Sequence, residues 1–254
     1  MGLFDSWRKR ALPIRNSQVS DALVRDASAY VVRLTDPKLA LANRSEARLL
    51  GPVRNALEFI ARSIGTLPPL CELDLDNWMA NPQLASFFVS GDEITEAFSR
   101  AEEVQRYFSR EALAETVCAV LTTRMIEREA FGVALAGGQL LSDVRQLRIS
   151  FSDPKVPITA GDEKQLRLAI GRRMFEELAM LGMEQIATRR EERRELGEAR
   201  SLLLARERML QHQGAGFGEP PATVIKEVEA RLRENSRALA KLGDGADALE
   251  RDLD

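Results

Sequence analysis

The chain has 254 residues, of which 30% are charged and 44% apolar, and its formal net charge is −3. A single histidine and two cysteines leave little material for metal centres or for thiol and imidazole catalysis, which argues against most enzyme classes. The longest stretch without a charged residue, Asn77 to Gly91, is too short and too polar to span a bilayer, which needs ~20 apolar residues.

Residues 1–16 form a basic amphipathic segment. Its candidate membrane-contact residues are the apolar Leu3, Phe4 and Trp7 and the cationic Arg8, Lys9 and Arg10. Such a segment can lie on a membrane surface with its rings inward and its cations toward the headgroups. Docking on the chain's own helices is the alternative. The segment lacks the apolar run of a secretory signal, so we expect a cytoplasmic protein, with the inner face of the membrane as the alternative location.

Residues 17–175 carry the spacing and the caps of a helical bundle. A first helix is predicted from Leu23 to Leu34, behind Ser17 or Ser20 as its N-cap. A second stripe runs from Leu49 to Ile64, in which Pro52 marks either the start of the helix or a kink.

Three further helix starts follow. Asn81 precedes a proline in the arrangement typical of an N-cap and first helical residue. Ser90 and Glu93 form a capping-box pattern. Ser109 is the candidate cap of a helix through residues 113–121.

One segment, residues 147–158, has the alternation of a short β-hairpin. Its apolar residues are Leu147, Ile149 and Phe151 before Asp153-Pro154, and Val156 and Ile158 after it. An isolated two-stranded hairpin is marginal in water, so its apolar face must pack on helices or its edge must pair. We favour packing on the chain's own bundle. Strand addition by a partner peptide is the alternative.

The last third of the chain, residues 176–254, is predicted to be a long-helix coiled-coil stalk. One helix is expected from Asp162 to about Gln213, because this stretch lacks proline and is rich in helix formers. The highly charged residues 189–195 in its middle are expected to be solvated on most sides. Only one of the 14 aromatic residues, Phe217, follows Phe175, so a second aromatic core is not expected here.

A Gly/Pro-rich loop at 214–221 separates this helix from a heptad pattern. The heptad positions, which are our candidate partner-binding residues, are Ile225, Val228, Leu232, Asn235, Leu239 and Leu242. We expect the final helix, Ala222 to Leu242, to fold back on Leu196 to Gln211 as an antiparallel helical hairpin. The alternative is a coiled coil with another chain, in which Asn235 would set the register.

No motif for a catalytic, cofactor or metal site emerges from the chain. Lys plus Arg outnumber Asp plus Glu by 11 to 6 in residues 1–70, and the acidic residues lead by 10 to 3 in residues 71–120. This balance lacks the basic excess of a nucleic-acid-binding domain. We therefore expect a non-enzymatic, mainly α adaptor or scaffold whose coiled-coil region contacts a protein partner or a second copy. The alternative function is that of a peripheral membrane protein with weak surface contact through residues 1–16.

Overall fold

The computed structural model describes residues 19–76, 78–212, 222–243 and 246–253. It confirms the mainly α class with a two-stranded antiparallel β-hairpin. The predicted segment 1–16 and the predicted loop 214–221 lie outside the described residues. The chain divides into two compact units, one made of the residues up to Gly65 and from Arg173 onward, the other of Thr66–Arg172. The first two helices therefore belong with the C-terminal helices rather than with the hairpin.

The first unit is helical. Its elements are α1 (Asp21–Thr35), a 3-10 turn (Pro37–Leu41), α2 (Ser45–Gly65), the greater part of α6 (Glu163–His212), α7 (Ala222–Leu242) and α8 (Ala246–Asp252). The core between α1 and α2 includes Val24, Leu57 and Ile60, whose side chains are fully buried. Tyr30 connects α1 to α6, because its hydroxyl donates to Glu176 Oε1 at 3.0 Å.

The helix predictions in this unit are largely confirmed. Ser20 caps α1, since its Oγ accepts from the Leu23 N–H at 3.3 Å. Helix α2 begins at Ser45 and continues through Pro52, so the interpretation of Pro52 as a helix start is wrong. The long helix α6 and the final heptad helix α7 have almost the predicted bounds.

The second unit holds the short helices and the hairpin. Its elements are a 3-10 turn (Trp78–Ala80), α3 (Pro82–Phe87), α4 (Gly91–Ser99), α5 (Glu102–Arg110), β1 (Cys118–Ala136), β2 (Gln139–Ala160) and the first turns of α6. Asn81 caps α3 and Ser90 caps α4, as predicted. A small core joins the helices to the hairpin. It consists of Trp78, Phe88 and Ile94, and Leu121 of β1 packs against it.

The hairpin is much longer than predicted, and its turn lies elsewhere. Gly137 and Gly138, with φ of +60° and +81°, form the two-residue connection, a conformation that glycine adopts without steric cost. Both strands predicted within 147–158 lie in β2, where Asp153, with φ of +54°, forms a bulge instead of a turn. The helix predicted after Ser109 is also wrong, because the chain pairs as β1 from Cys118 onward.

Candidate functional site

The outer part of the hairpin, residues 124–152, is the main exposed feature of the second unit, and we call it the hairpin arm. The hairpin is anchored below it, where Val156 and Ala160 are buried. At the base of the arm the rings of Phe87 in α3 and Phe151 meet edge to face at 4.8 Å between centroids. Farther out than Phe151, most side chains of the arm are exposed.

The register gives the arm two different faces, since paired residues share a face and neighbours along a strand alternate. The apolar face carries Met125, Phe131, Val133, Leu135, Leu140, Leu147 and Ile149, which are 51–76% exposed. Three charged residues, Glu127, Glu129 and Arg145, interrupt it, and Arg145 pairs with Glu129 at 3.7 Å. The opposite face, which we call the basic face, carries Arg124, Arg128 and Arg148.

The apolar face is larger than a lone soluble protein ordinarily exposes. With these exposed fractions, its seven apolar residues present on the order of 800 Å², against ~300–600 Å² for the largest patch on a typical monomer. An exposed apolar surface of this size is typical of an interaction surface. The apolar face adjoins the contact of Phe87 with Phe151 at the base of the arm, so it is continuous with the apolar interior of the unit.

The basic face places two like charges directly opposite each other. Arg128 pairs with Arg148 in the register, and within the part of the chain that the structure describes no carboxylate shares this face. Like charges at paired positions destabilise a hairpin. This face is therefore a poor surface for self-stacking.

Reversing the charge of one residue on the basic face is expected to stabilise the hairpin. Arg148→Glu places a carboxylate opposite Arg128, and such opposite-charge pairs contribute about 0.2–1 kcal/mol. Urea denaturation should show a higher midpoint. The matched control is Arg145→Glu on the other face, which sets two carboxylates side by side with Glu129 and should lower the midpoint. A fall in both variants would contradict the assignment of the faces.

The six heptad candidates of α7 lie on the side of that helix that packs within the chain. Val228 and Asn235 are buried, whereas Ile225, Leu232, Leu239 and Leu242 are half-buried. The Asn235 Nδ2 donates to the backbone oxygen of Leu196 in α6 at 3.0 Å, as expected for the predicted antiparallel fold-back. Contacts of these residues with another chain stay a prediction. The six N-terminal candidates lie outside the described residues.

Most of the charged run of α6 is exposed, as expected for residues 189–195, but Arg190 and Arg193 form ion pairs with distant elements, which we call the clasp. Arg190 pairs with Asp36, and Arg193 pairs with Asp252 of α8, whose side chain is fully buried. Burial raises the pKa of Asp36, but hydrogen bonds from Arg190 and from the Lys38 N–H outweigh it, so the pKa is lowered. The clasp holds α8 and the 3-10 turn against α6.

The lowered pKa of Asp36 predicts an acid-sensitive contact. A depressed folded pKa stabilises the fold fully above the unfolded value, about 3.9, and this contribution is lost as the pH falls through the folded pKa. In Asp36→Asn, the unfolding midpoint should therefore fall less steeply below pH 4 than in the unchanged chain. Parallel pH profiles of the two proteins, followed by circular dichroism, would contradict this assignment.

The second unit also has an open groove of about 550 Å³ between α4 and the bulge of β2. Its carboxylates are engaged locally: Glu93 accepts from the Val89 N–H, Glu96 pairs with Arg100, and Asp153 pairs with Lys155. Among the residues that the structure describes, no cluster of three metal-ligating side chains occurs, and no helix is long and apolar enough to cross a membrane. The groove thus offers no convergent acid–base pair.

Sequence reasoning missed the arm, although two signals for it are present. Gly137-Gly138 is a strong two-residue hairpin signal, and residues 144–151 alternate between apolar and polar. Glu127 and Glu129, which suit a helix, lie instead on one face of β1. The sequence matches no protein-family model, no curated protein and no solved structure.

Proposed function

We propose that the chain is a non-enzymatic scaffold or adaptor that acts through protein–protein contacts, and that the apolar face of the hairpin arm is its main contact surface. The observation that carries this proposal is the exposure of seven large apolar residues on one face of a two-stranded hairpin. A two-stranded hairpin is marginally stable in water unless its apolar face is covered. A protein partner supplies that cover.

The coiled-coil region has a supporting part in this proposal. Asn235 donates to the backbone of α6, so we assign the heptad face a role in stabilising the fold. We assign the main partner contact to the hairpin arm instead. We place the protein in the cytoplasm, as its sparse use of cysteine indicates. The N-terminal basic segment has no part in the proposal.

Site-specific photo-crosslinking tests the proposal. A benzophenone amino acid replaces Phe131 on the apolar face or, as the matched control, Gln146 on the basic face one residue pair away. Both full-length variants are produced in the native host and irradiated, and their covalent adducts are identified by mass spectrometry. We expect discrete protein adducts from position 131 and none from position 146. No adduct at 131, or equal adducts at both positions, would contradict the proposal.

A further inference from the structure

We propose that the protein partner of the hairpin arm contributes an extended segment, which adds as a third strand along the outer edge of β1. This inference rests on the proposed function and states the form and the charge pattern of the partner's contact. Two features of β1 support it: the open edge of residues 124–132, which we call the β1 edge, and the charges that alternate between its two faces.

The β1 edge belongs to the longest regular stretch of the hairpin. Nine consecutive pairs join residues 124–132 of β1 to residues 144–152 of β2, and the register shifts at both ends of this stretch. Alternate residues of an edge strand direct their backbone N–H and C=O groups away from the sheet. Helices α3, α4 and α5 pack on β2, and in the described part of the chain no other backbone group bonds to the β1 edge. The edge can therefore accept one more strand.

The charges along the β1 edge have opposite signs on the two faces of the sheet. Arg124 and Arg128 lie on the basic face, whereas Glu127 and Glu129 lie on the apolar face. Glu129 pairs with Arg145 of β2. Among the residues that the structure describes, the other three form no ion pair. The edge therefore presents charges that the hairpin itself does not compensate.

These charges specify the side chains of the added strand. Neighbours on adjacent strands share a face, and opposite charges at such positions stabilise a sheet whereas like charges destabilise it. The added strand therefore carries acidic residues beside Arg124 and Arg128, and basic residues beside Glu127 and Glu129. Its acidic residue beside Arg128 also offsets the repulsion between Arg128 and Arg148.

The same strand extends the apolar face that carries the proposed function. Met125 and Phe131 lie on either side of the two glutamates on that face. Apolar residues of the added strand contact these side chains from the neighbouring strand position. A third strand also stabilises a hairpin that is marginal with two strands. One partner segment thus supplies both the backbone hydrogen bonds and the apolar contacts.

A second copy of β1 is a poor occupant of this edge. An antiparallel pair of β1 edges about a twofold axis at Glu127, Arg128 or Glu129 sets that residue opposite itself, and an axis at Ile126 sets Arg124 opposite Arg128. Each of these arrangements brings like charges together. Charges on an edge strand disfavour apolar and identical strands but admit a strand of the opposite charge pattern. The partner segment therefore differs in sequence from β1.

Two synthetic peptides test the charge pattern. The matched peptide, Thr-Val-Thr-Lys-Glu-Lys-Val-Ile-Glu with blocked ends, is designed to lie antiparallel to residues 124–132, so that its lysines meet the glutamates of β1 and its glutamates meet the arginines. The swapped peptide exchanges Lys and Glu and keeps the composition and the net charge. Fluorescence anisotropy of each labelled peptide with the full chain should give a Kd at least about tenfold lower for the matched peptide. Equal binding of the two peptides, or no binding of the matched one, would overturn the inference.

Arg128→Glu and Arg148→Glu test which edge accepts the strand. Each substitution creates an opposite-charge pair across the hairpin, so both proteins should fold at least as stably as the unchanged chain, which urea denaturation verifies. Only Arg128 borders the added strand, because Arg148 lies one strand spacing of ~4.8 Å farther away. We expect Arg128→Glu to weaken binding of the matched peptide about threefold or more and Arg148→Glu to leave it unchanged. Equal effects, or an effect of Arg148→Glu alone, would overturn the β1 edge as the site.

Hydrogen exchange locates the backbone bonds and separates this inference from the proposed function. With the matched peptide bound, alternate amides of residues 124–132 should gain protection, and those of residues 144–152 should not change. A peptide that binds without protecting β1 lies on a face rather than at the edge, which overturns the added strand. If the peptide tests fail and position 131 still gives protein adducts in the native host, the proposed function stands without this inference. Absence of adducts from position 131 overturns both.

Discussion

Arg193→Ala is expected to release α8 from the first unit at a cost of about 3–5 kcal/mol, the range for breaking a buried ion pair by removing one partner. Asp252 is the reason, because its side chain is fully buried and Arg193 donates to its Oδ1. The next cation, Arg190, lies with its Nε 3.8 Å from Asp252 Oδ2 and is already engaged with Asp36. Without Arg193, docking of α8 would bury the negative charge of Asp252 with only the distant Arg190 to balance it, so the docked state is destabilised.

Hydrogen exchange in α8 and urea denaturation of the full chain measure this effect. We expect the amides of Ala246–Asp252 to lose protection first, since the helix is then held mainly by exposed or partly exposed contacts of Glu250 with Arg48 and Asn43 and of the Arg251 backbone oxygen with Arg189. The matched control is Arg194→Ala, which removes the neighbouring arginine. Arg194 pairs with Glu191 and Glu198 in solvent, so its loss should leave both measurements unchanged. Equal effects of the two substitutions would contradict the clasp.

The clasp shows where sequence reasoning reaches its limit. A run of alternating charges on a helix is ordinarily solvated, and local spacing predicts only pairs such as Arg194 with Glu198. The partners of the two clasp arginines are distant in sequence: Asp36 lies 154 positions from Arg190, and Asp252 lies 59 positions from Arg193. No local pattern encodes such contacts, since they arise only after α1, α6 and α8 have packed.

Local interactions, in contrast, were predictable from the sequence. The caps of α1, α3 and α4 depend on side chains within three residues of their backbone donors, so Ser20, Asn81 and Ser90 could be recognised directly. The uninterrupted helix formers of α6 and the heptads of α7 likewise act within one helix. Helices α6 and α7 form with nearly the predicted bounds.

The candidate site was predicted only in part because strand formation depends on pairing more than on intrinsic preference. Glu127, Arg128 and Glu129 favour a helix in isolation, yet they pair with Ile149, Arg148 and Leu147 across the hairpin. The alternation of apolar and polar residues along β2 was visible in the sequence. The same alternation occurs whether the apolar face is packed against helices or exposed to solvent. The arm is exposed because the short helices cover only the base of the hairpin. The residue pattern of one strand does not predict where those helices end.

Phe88→Ala is expected to lower the free energy of unfolding of the second unit by about 3–5 kcal/mol, the usual cost of truncating a buried phenylalanine. Phe88 is 2% exposed and packs with Trp78 and Ile94 in the core that also holds Leu121 of β1. The cavity left behind loosens the helices from the base of the hairpin. Fluorescence of Trp78 during urea denaturation reports this change, in a Trp7→Phe background that removes the second tryptophan.

Phe131→Ala is the matched control, because it makes the same truncation on a ring that is 71% exposed. It should change the free energy of unfolding of the isolated chain by no more than about 0.5 kcal/mol, as surface substitutions generally do. A stability loss at Phe131 comparable to that at Phe88, measured at concentrations where the chain is monomeric, would mean that the apolar face is already covered within the chain. With the expected contrast, the core around Phe88 supports the arm, and the apolar face at Phe131 remains available for a second chain.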